Sequence, residues 1–312
     1  MKTKTLTAQF CAKKIVAVIM AAIAGFTFFA VGCTPNKDSQ SNMQSSLYQG
    51  KHESLIAKQI IFEDNNATLT ATETYYIPES GSSLSNTLNI EYEVQNKSAK
   101  KMSFTTNSVQ INGISFLGYS SVIVESEQTK VGSIAIPKEQ LDIAGIGEIK
   151  NIKLSFYDFR EKASSTEDRN ATMLLTLKPV GYEKDYKEPY DMKELQSTEQ
   201  GINVKYIGTE SLRANVSGEA ATYLVYKMVN TNDYKIQMVG VSRASLNSNA
   251  IHCSVEALSE IPSNGCTFIF VKVQNVTNNS QPTLEGEMDI QFRFFHGTIA
   301  ESGYSREFKH KI

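Results

Sequence analysis

Residues 88–94 read Leu88-Asn89-Ile90-Glu91-Tyr92-Glu93-Val94, an alternation of apolar and polar side chains over seven positions. A period of two puts Leu88, Ile90, Tyr92 and Val94 on one face of a strand and Asn89, Glu91 and Glu93 on the other. One face is then buried and the other wet, as in an antiparallel sheet. Similar runs follow at Met102–Phe104, Val109–Ile111, Ile114–Phe116, Ser121–Val124, Gly132–Ile136, Ile152–Phe156 and Met173–Leu177. Asn112-Gly113 separates two of them and predicts a hairpin, because a type I′ turn needs positive φ at both central residues. Pro137-Lys138-Glu139-Gln140-Leu141 predicts one short helical turn. Many short strands and almost no helix predict an all-β chain built from antiparallel β-sandwiches.

The same pattern occurs a second time. Ile90, Tyr92, Val94 and Asn96 fall on Leu224, Tyr226, Met228 and Asn230 at an offset of 134, and Met102 and Phe104 fall on Ile236 and Met238. Leu154 and Phe156 meet Ile290 and Phe292 at an offset of 136, with mismatches such as Leu88 on Thr222 and Val109 on Arg243 between them. The expected organisation is a signal peptide at 1–32, a flexible tether at 33–49, one sandwich at 50–178, a linker at 179–200 and a second sandwich at 201–312. Residues 179–200 hold Tyr182, Tyr186 and Tyr190 among charged residues. Their spacing would align them on a helix, but Pro189 opposes one, which leaves a solvated linker as the reading.

The N-terminus is the most legible segment. Lys2, Lys4, Lys13 and Lys14 precede Ile15–Val31, an uncharged apolar run. That is the layout of an export signal. The run ends in Ala30-Val31-Gly32-Cys33, which resembles the lipobox of bacterial lipoproteins. The resemblance implies cleavage between Gly32 and Cys33 and a diacylglycerol on the Cys33 thiol, with palmitate-type acyl chains. Each buried CH₂ contributes about 0.8 kcal/mol, so two chains hold a protein where one binds marginally. An uncleaved signal anchor is the alternative, and either one leaves the rest of the chain outside the cytoplasm. Thr34–Gln49 is rich in Ser, Asn and Gln and reads as a tether.

Loss of residues 1–32 removes four lysines and no acid, leaving 27 basic against 33 acidic residues, a net charge of about −6. That excludes a basic field for nucleic acid. With Cys11 gone and Cys33 acylated, Cys253 and Cys266 remain. A hairpin turning near Ser259 and Glu260 would set them opposite each other for a disulfide, whose loop closure contributes about 3 kcal/mol. Two separate buried thiols are the other reading.

Val94-Gln95-Asn96-Lys97-Ser98, the hairpin at Val109-Gln110-Ile111-Asn112-Gly113, the Pro137–Gly145 turn and Ile149–Asp158 together resemble immunoglobulin-like domains of Gram-positive cell-surface lipoproteins. The likeness covers most of 55–178 and, more weakly, 201–312. It implies a tandem sandwich fold and a surface location, and it carries over no functional residue.

Chemical motifs are thin. His52 starts His-Glu-Ser-Leu-Ile, which lacks the second histidine of a zinc helix, and His252, His296 and His310 stand in no catalytic pattern. Ser98-Ala99-Lys100-Lys101 fits a Ser-x-x-Lys pattern but follows a strand where a helix start is required, so it reads as a turn. Asp64-Asn65-Asn66 opens like a calcium loop, yet Leu69 and Tyr75 occupy the glycine and glutamate positions. Gly145-Ile146-Gly147 has no third glycine for a phosphate cradle. No cofactor, metal site or catalytic residue is expected. The expectation is a membrane-anchored surface lipoprotein facing the extracellular side, a non-catalytic binding or adaptor module for an envelope protein or cell-wall polymer. The alternative is an envelope enzyme with an interdomain site, drawing on acids such as Glu91, Glu93, Asp142 and Glu148; Glu91 and Glu93 otherwise read as a solvated strand face.

Overall fold

The computed structural model describes residues 52–78, 86–157, 159, 172–188, 195, 200–213, 220–236, 238–255, 260–275, 282–295 and 303–312. The expected signal peptide at 1–32, Cys33 and the expected tether at 33–49 lie outside the described residues, as do Tyr190, Ser259 and His296. No helix among the described residues is long and apolar enough to cross a membrane.

The chain is all-β. Strands β1 (Gln59–Glu63), β2 (Ala67–Ile77), β3 (Thr87–Asn96) and β6 (Thr129–Pro137) form one antiparallel sheet in the order β1-β2-β3-β6. Facing it, β5 (Ile114–Val124), β4 (Met102–Ile111), β7 (Ile152–Tyr157) and β8 (Thr172–Leu177) pair in the order β5-β4-β7-β8. This is an immunoglobulin-like sandwich of seven strands, β2–β8, with β1 added at an edge; its fourth strand, β5, pairs with β4, whereas in the constant-type arrangement the fourth strand lies on the other sheet. Leu88, Ile90, Tyr92 and Val94 fill the core beside Phe104, Val109, Leu154 and Phe156, each contributing roughly 1.5–3 kcal/mol by burial. The turn at Asn112 (φ 51) and Gly113 (φ 82) has the backbone of type I′.

Two expected pairs of runs each merge into one strand. Met102–Ile111 and Ile114–Val124 pair along their whole length, with a register shift between Thr106 and Ser108. There Gly118 and Tyr119 of β5 lie opposite Asn107 alone, whereas against β7 Asn107 is itself the extra residue; these bulges break the period-two pattern without ending the strands. Helix α1 (Lys138–Ile143) follows Pro137. It closes with Gly145 (φ 73), whose N–H donates to the Asp142 carbonyl at 3.0 Å while the Ile146 N–H donates to Leu141 at 2.9 Å. That is a Schellman ending, and it accounts for the Gly145-Ile146-Gly147 sequence structurally.

The strand order then recurs. Strands β9 (Ile202–Arg213), β10 (Ala220–Asn230) and β13 (Gly265–Asn275) pair as β2, β3 and β6 do. Strands β12 (Asn249–Val255), β11 (Met238–Leu246), β14 (Glu287–Phe295) and β15 (Gly303–Lys311) pair as β5, β4, β7 and β8 do. β12 also runs along β13 from Ile251 to Val255 and so joins the two sheets.

Individual hydrogen bonds recur with the strands. Asn96 Nδ2 donates to the carbonyls of Lys100 and Glu125 at 2.7 and 3.1 Å; Asn230 Nδ2 donates to those of Tyr234 and Pro262 at 2.7 and 3.1 Å. Asn112 and Asn247, each first in its hairpin turn, donate to Glu148 and Glu285 and accept the N–H of Lys150 and Glu287. Tyr92 meets Phe156 edge-on at 5.4 Å, and Tyr226 meets Phe292 likewise at 5.0 Å. A register shift between Val241 and Arg243 against β14 matches the one between Thr106 and Ser108 against β7, and the shared register sets Val109 on the buried Ala244 at an offset of 135 in place of 134. The sequence mismatch at that point is this one-residue change of offset.

The two sandwiches are not beads on a string, for residues 46–312 form one compact unit. Leu224, Tyr226, Met228, Ile269 and Val271 belong to the second core, whereas Val225, Val229, Cys266 and Phe268, on the opposite faces of β10 and β13, belong to the first. Strands buried on both faces lose the polar half of the alternation, and β10 and β13 read as near-continuous apolar runs. β13 also pairs in parallel with β5 through Cys266 opposite Ile114 and Thr267 opposite Ser115.

The expected solvated linker is docked over the first part of its length. Val180 N–H donates to Leu55 at 2.8 Å, Glu183 N–H to Lys150 at 3.1 Å and Glu188 N–H to Asn112 at 2.8 Å. Asn151 Nδ2 donates to the carbonyls of Glu183 and Tyr186, fixing two turns where an aromatic helix face had been the alternative.

Candidate interaction surface

Each sandwich has a loop end marked by its buried asparagine. In the first, three turns meet: residues 64–66, 97–101 and 125–128. Asp64 Oδ1 accepts the N–H of Asn66 and Ala67 at 2.8 and 2.7 Å, which is why Asp64-Asn65-Asn66 is a tight turn. Lys97 N–H donates to Asn66 O at 2.7 Å, Ser126 Oγ donates to Ser98 O at 2.8 Å, and Asn96 ties the second turn to the third. Ser98 Oγ donates to Lys100 O, so Ser98–Lys101 is a turn, as expected. Lys97 pairs with Glu63 at 2.8 Å and Lys101 with Glu125 at 3.1 Å, and the Lys97 ammonium holds the exposed Glu63 carboxyl below its ordinary range. Beside these turns lies an open hollow of about 170 Å³ lined by Asn66, Ser98, Lys100, Lys101, Met102, Ser103 and Phe159.

The corresponding end of the second sandwich is occupied. Lys235 Nζ, on the turn after Asn230, donates to Thr172 Oγ1 of β8 at 2.8 Å and pairs with Glu260 at 3.4 Å. Lys187 Nζ donates to Asn264 O at 3.1 Å. One loop end therefore grips the first sandwich while its counterpart stands in solvent.

No family model matches the sequence, and no curated protein does. Among solved structures the chain is similar to a Salmonella enterica SafA pilin in complex with the SafB chaperone, at 11% identity over 80% of this chain and 98% of that one, with a TM-score of 0.20. It is also similar to a red sea bream transglutaminase at 10% identity over 78% of this chain and 31% of that one, with a TM-score of 0.22. Likenesses this distant say nothing about what the chain binds or does.

The residues picked out from the sequence are dispersed. Glu91 is not on a solvated face: its side chain is 4% exposed and accepts hydrogen bonds from Tyr75 Oη at 2.6 Å and Asn89 Nδ2 at 3.2 Å. His52 stacks on Tyr75 with centroids 3.8 Å apart and lies 3.0 Å from Glu73, so the chain entering the fold covers this face. Asp142 pairs with Lys138 on α1, and Glu148 pairs with Lys150 near the Asn112 turn. Glu91, Asp142 and Glu148 thus sit in three separate networks, and no group of His, Cys, Asp or Glu among the described residues is arranged to hold a metal. His252 is exposed on β12.

Of the two readings of Cys253 and Cys266, a bridge or two separate buried thiols, the structure has the second, since both are free and buried. Their strands do pair, but in a register that sets Cys253 opposite Val273, seven positions along β13 from Cys266. That is about 23 Å of extended strand, against a Cα separation of about 6 Å in a disulfide. The two thiols belong to different cores, and burial pushes each up to about 12.

His310 on β15 is the titratable group with the most distinctive surroundings. Its Nε2 lies 3.3 Å from Tyr226 Oη, its ring is 4.3 Å from that of Tyr206, and its buried Nδ1 has no hydrogen-bond partner. Burial lowers its pKa from 6.5 to about 4. A depressed histidine pKa means that the unfolded chain takes the proton first. The neutral ring's full contribution is present above about pH 6.5 and is lost as the pH falls towards 4. With allowance for solvent screening of a ring still partly open, the loss is on the order of 1–2 kcal/mol. Urea titrations at both ends of this window should show His310→Phe losing less stability on acidification than the parent.

Proposed function

We propose that the chain is a membrane-anchored surface lipoprotein: two tandem immunoglobulin-like sandwiches, related by duplication, that act as a non-catalytic binding or adaptor module. The export signal and the Ala30-Val31-Gly32-Cys33 lipobox support lipid anchorage at Cys33 and an extracellular position. The observation that carries the binding role is the loop end of the first sandwich, open to solvent and braced by hydrogen bonds from Asp64, Asn96 and Ser126. Loops fixed before a partner arrives lose little entropy on binding, and a rigid scaffold beneath loops is where sandwich proteins carry recognition. The partner is an envelope protein or a cell-wall polymer.

The test is capture from detergent-solubilised envelope and cell wall with the full chain as bait, beside Lys97→Glu/Lys101→Glu, which reverses the two lysines of this end that pair with Glu63 and Glu125. Loss of at least ten-fold of a specific partner in the variant is the expected result, on the order of 1.4 kcal/mol. Equal capture by both baits, or no capture by either, contradicts the proposal.

A further inference from the structure

The junction between the sandwiches has two unlike halves. The first sandwich offers a tip: Asn112-Gly113 and the start of β5, with Ile114 and Ser115 buried and the Ser115 carbonyl accepting from Thr267 Oγ1 at 2.8 Å. The second offers an apolar face made of Val225, Val229, Cys266 and Phe268, the outer side of β10 and β13. The shared strand register assigns every one of these residues a counterpart in the other sandwich. Met228 opposite Thr267 matches Val94 opposite Lys130, so Val225, Val229, Cys266 and Phe268 correspond to Glu91, Gln95, Thr129 and Val131. Leu246 opposite Asn249 matches Ile111 opposite Ile114, so Ile114 and Ser115 correspond to Asn249 and Ala250.

The counterparts are chemically unsuited to the same contact. Where the second sandwich has an apolar face, the first has the Glu91 carboxylate, held by Tyr75 and Asn89, together with an exposed glutamine and threonine. At Glu91 that face is already covered by Tyr75 and the chain at His52, and covering the rest with another tip would strip water from the exposed Gln95 and Thr129, with only Val131 to offset the loss. Where the first sandwich has a buried isoleucine at its tip, the second has an exposed asparagine.

We infer that the chain is a closed pair: the one such apolar face and the one such apolar tip among the described residues of the two sandwiches are both used in the internal junction, and neither end offers that contact to a second copy. The solvent-facing loop end is thereby left to partners of other kinds. This holds or fails independently of lipid anchorage and of what the loop end binds.

Sedimentation of the full chain in detergent, from low to high micromolar, tests it. The parent should remain one chain per micelle. A variant that restores both missing halves, Glu91→Val/Gln95→Val/Val131→Phe with Asn249→Ile/Ala250→Ser, should assemble end to end as concentration rises. End-to-end assembly of the parent, or a folded restored variant that stays monomeric, overturns the inference. Should the restored variant fail to fold, the reverse exchange decides. Val225→Glu/Val229→Gln copies the first sandwich's outer face onto the second and should release the junction, raising the radius of gyration in small-angle scattering while the strand signal in circular dichroism persists. A radius equal to that of the parent overturns the inference.

Discussion

Alanine in place of Phe292 is expected to lower the free energy of unfolding by about 4 kcal/mol, and alanine in place of Phe156 by a similar amount. Both rings are fully buried, and each meets the tyrosine of its own sandwich edge-on. Removal leaves a cavity that the flanking strands cannot close, because β4 and β11 are pinned on both sides by their neighbours. The junction adds a second expectation. β10 and β13 carry side chains of both cores, so a cavity in either sandwich should shift one shared transition. Chemical denaturation followed by circular dichroism reads both results. Two separate transitions, of which each variant moves only its own, would show that the sandwiches unfold independently.

Alanine in place of Asn96 or Asn230 should cost about 3 kcal/mol, a large effect for a residue outside the apolar core. Each amide is fully buried at a strand end and donates to carbonyls of two different turns, while its Oδ1 accepts the N–H two residues on. Alanine keeps the strand and orphans all of these groups at once. Thermal or urea unfolding of the two variants should give matched losses. A large loss at one site and almost none at the other would break the correspondence between the sandwiches at the point where it is most detailed.

The parts of this fold that were legible in the sequence are those governed by local rules. Alternation at Leu88–Val94 gave β3 and its inward face, and Asn112-Gly113 gave the hairpin, because a left-handed turn needs those residues wherever it occurs. The offsets of 134 and 136 aligned Asn96 with Asn230 and Phe156 with Phe292 before their contacts were known. What the sequence hid depends on distant packing. Glu91 looks solvated from its own strand; its burial comes from Tyr75 across the sheet and the chain around His52. The cysteines are close in sequence, yet the β12–β13 register sets them apart. Residues 179–188 are charged and rich in turns, which reads as linker; their backbone is nevertheless held by Leu55, Asn112 and Lys150. The loop end of the first sandwich carried a weak signal in its Asp, Asn and Ser content. Nothing local distinguished it from the matching end of the second sandwich, which is occupied.

The surface assignment rests on what happens at Cys33. Mass spectrometry of the N-terminal peptide of the protein extracted from membranes tests it directly. The account predicts a chain beginning at Cys33 and carrying a diacylglycerol thioether, with Cys33→Ala protein lacking the lipid and keeping residues 1–32. A parent chain that keeps those residues, or one that starts elsewhere without lipid, contradicts it.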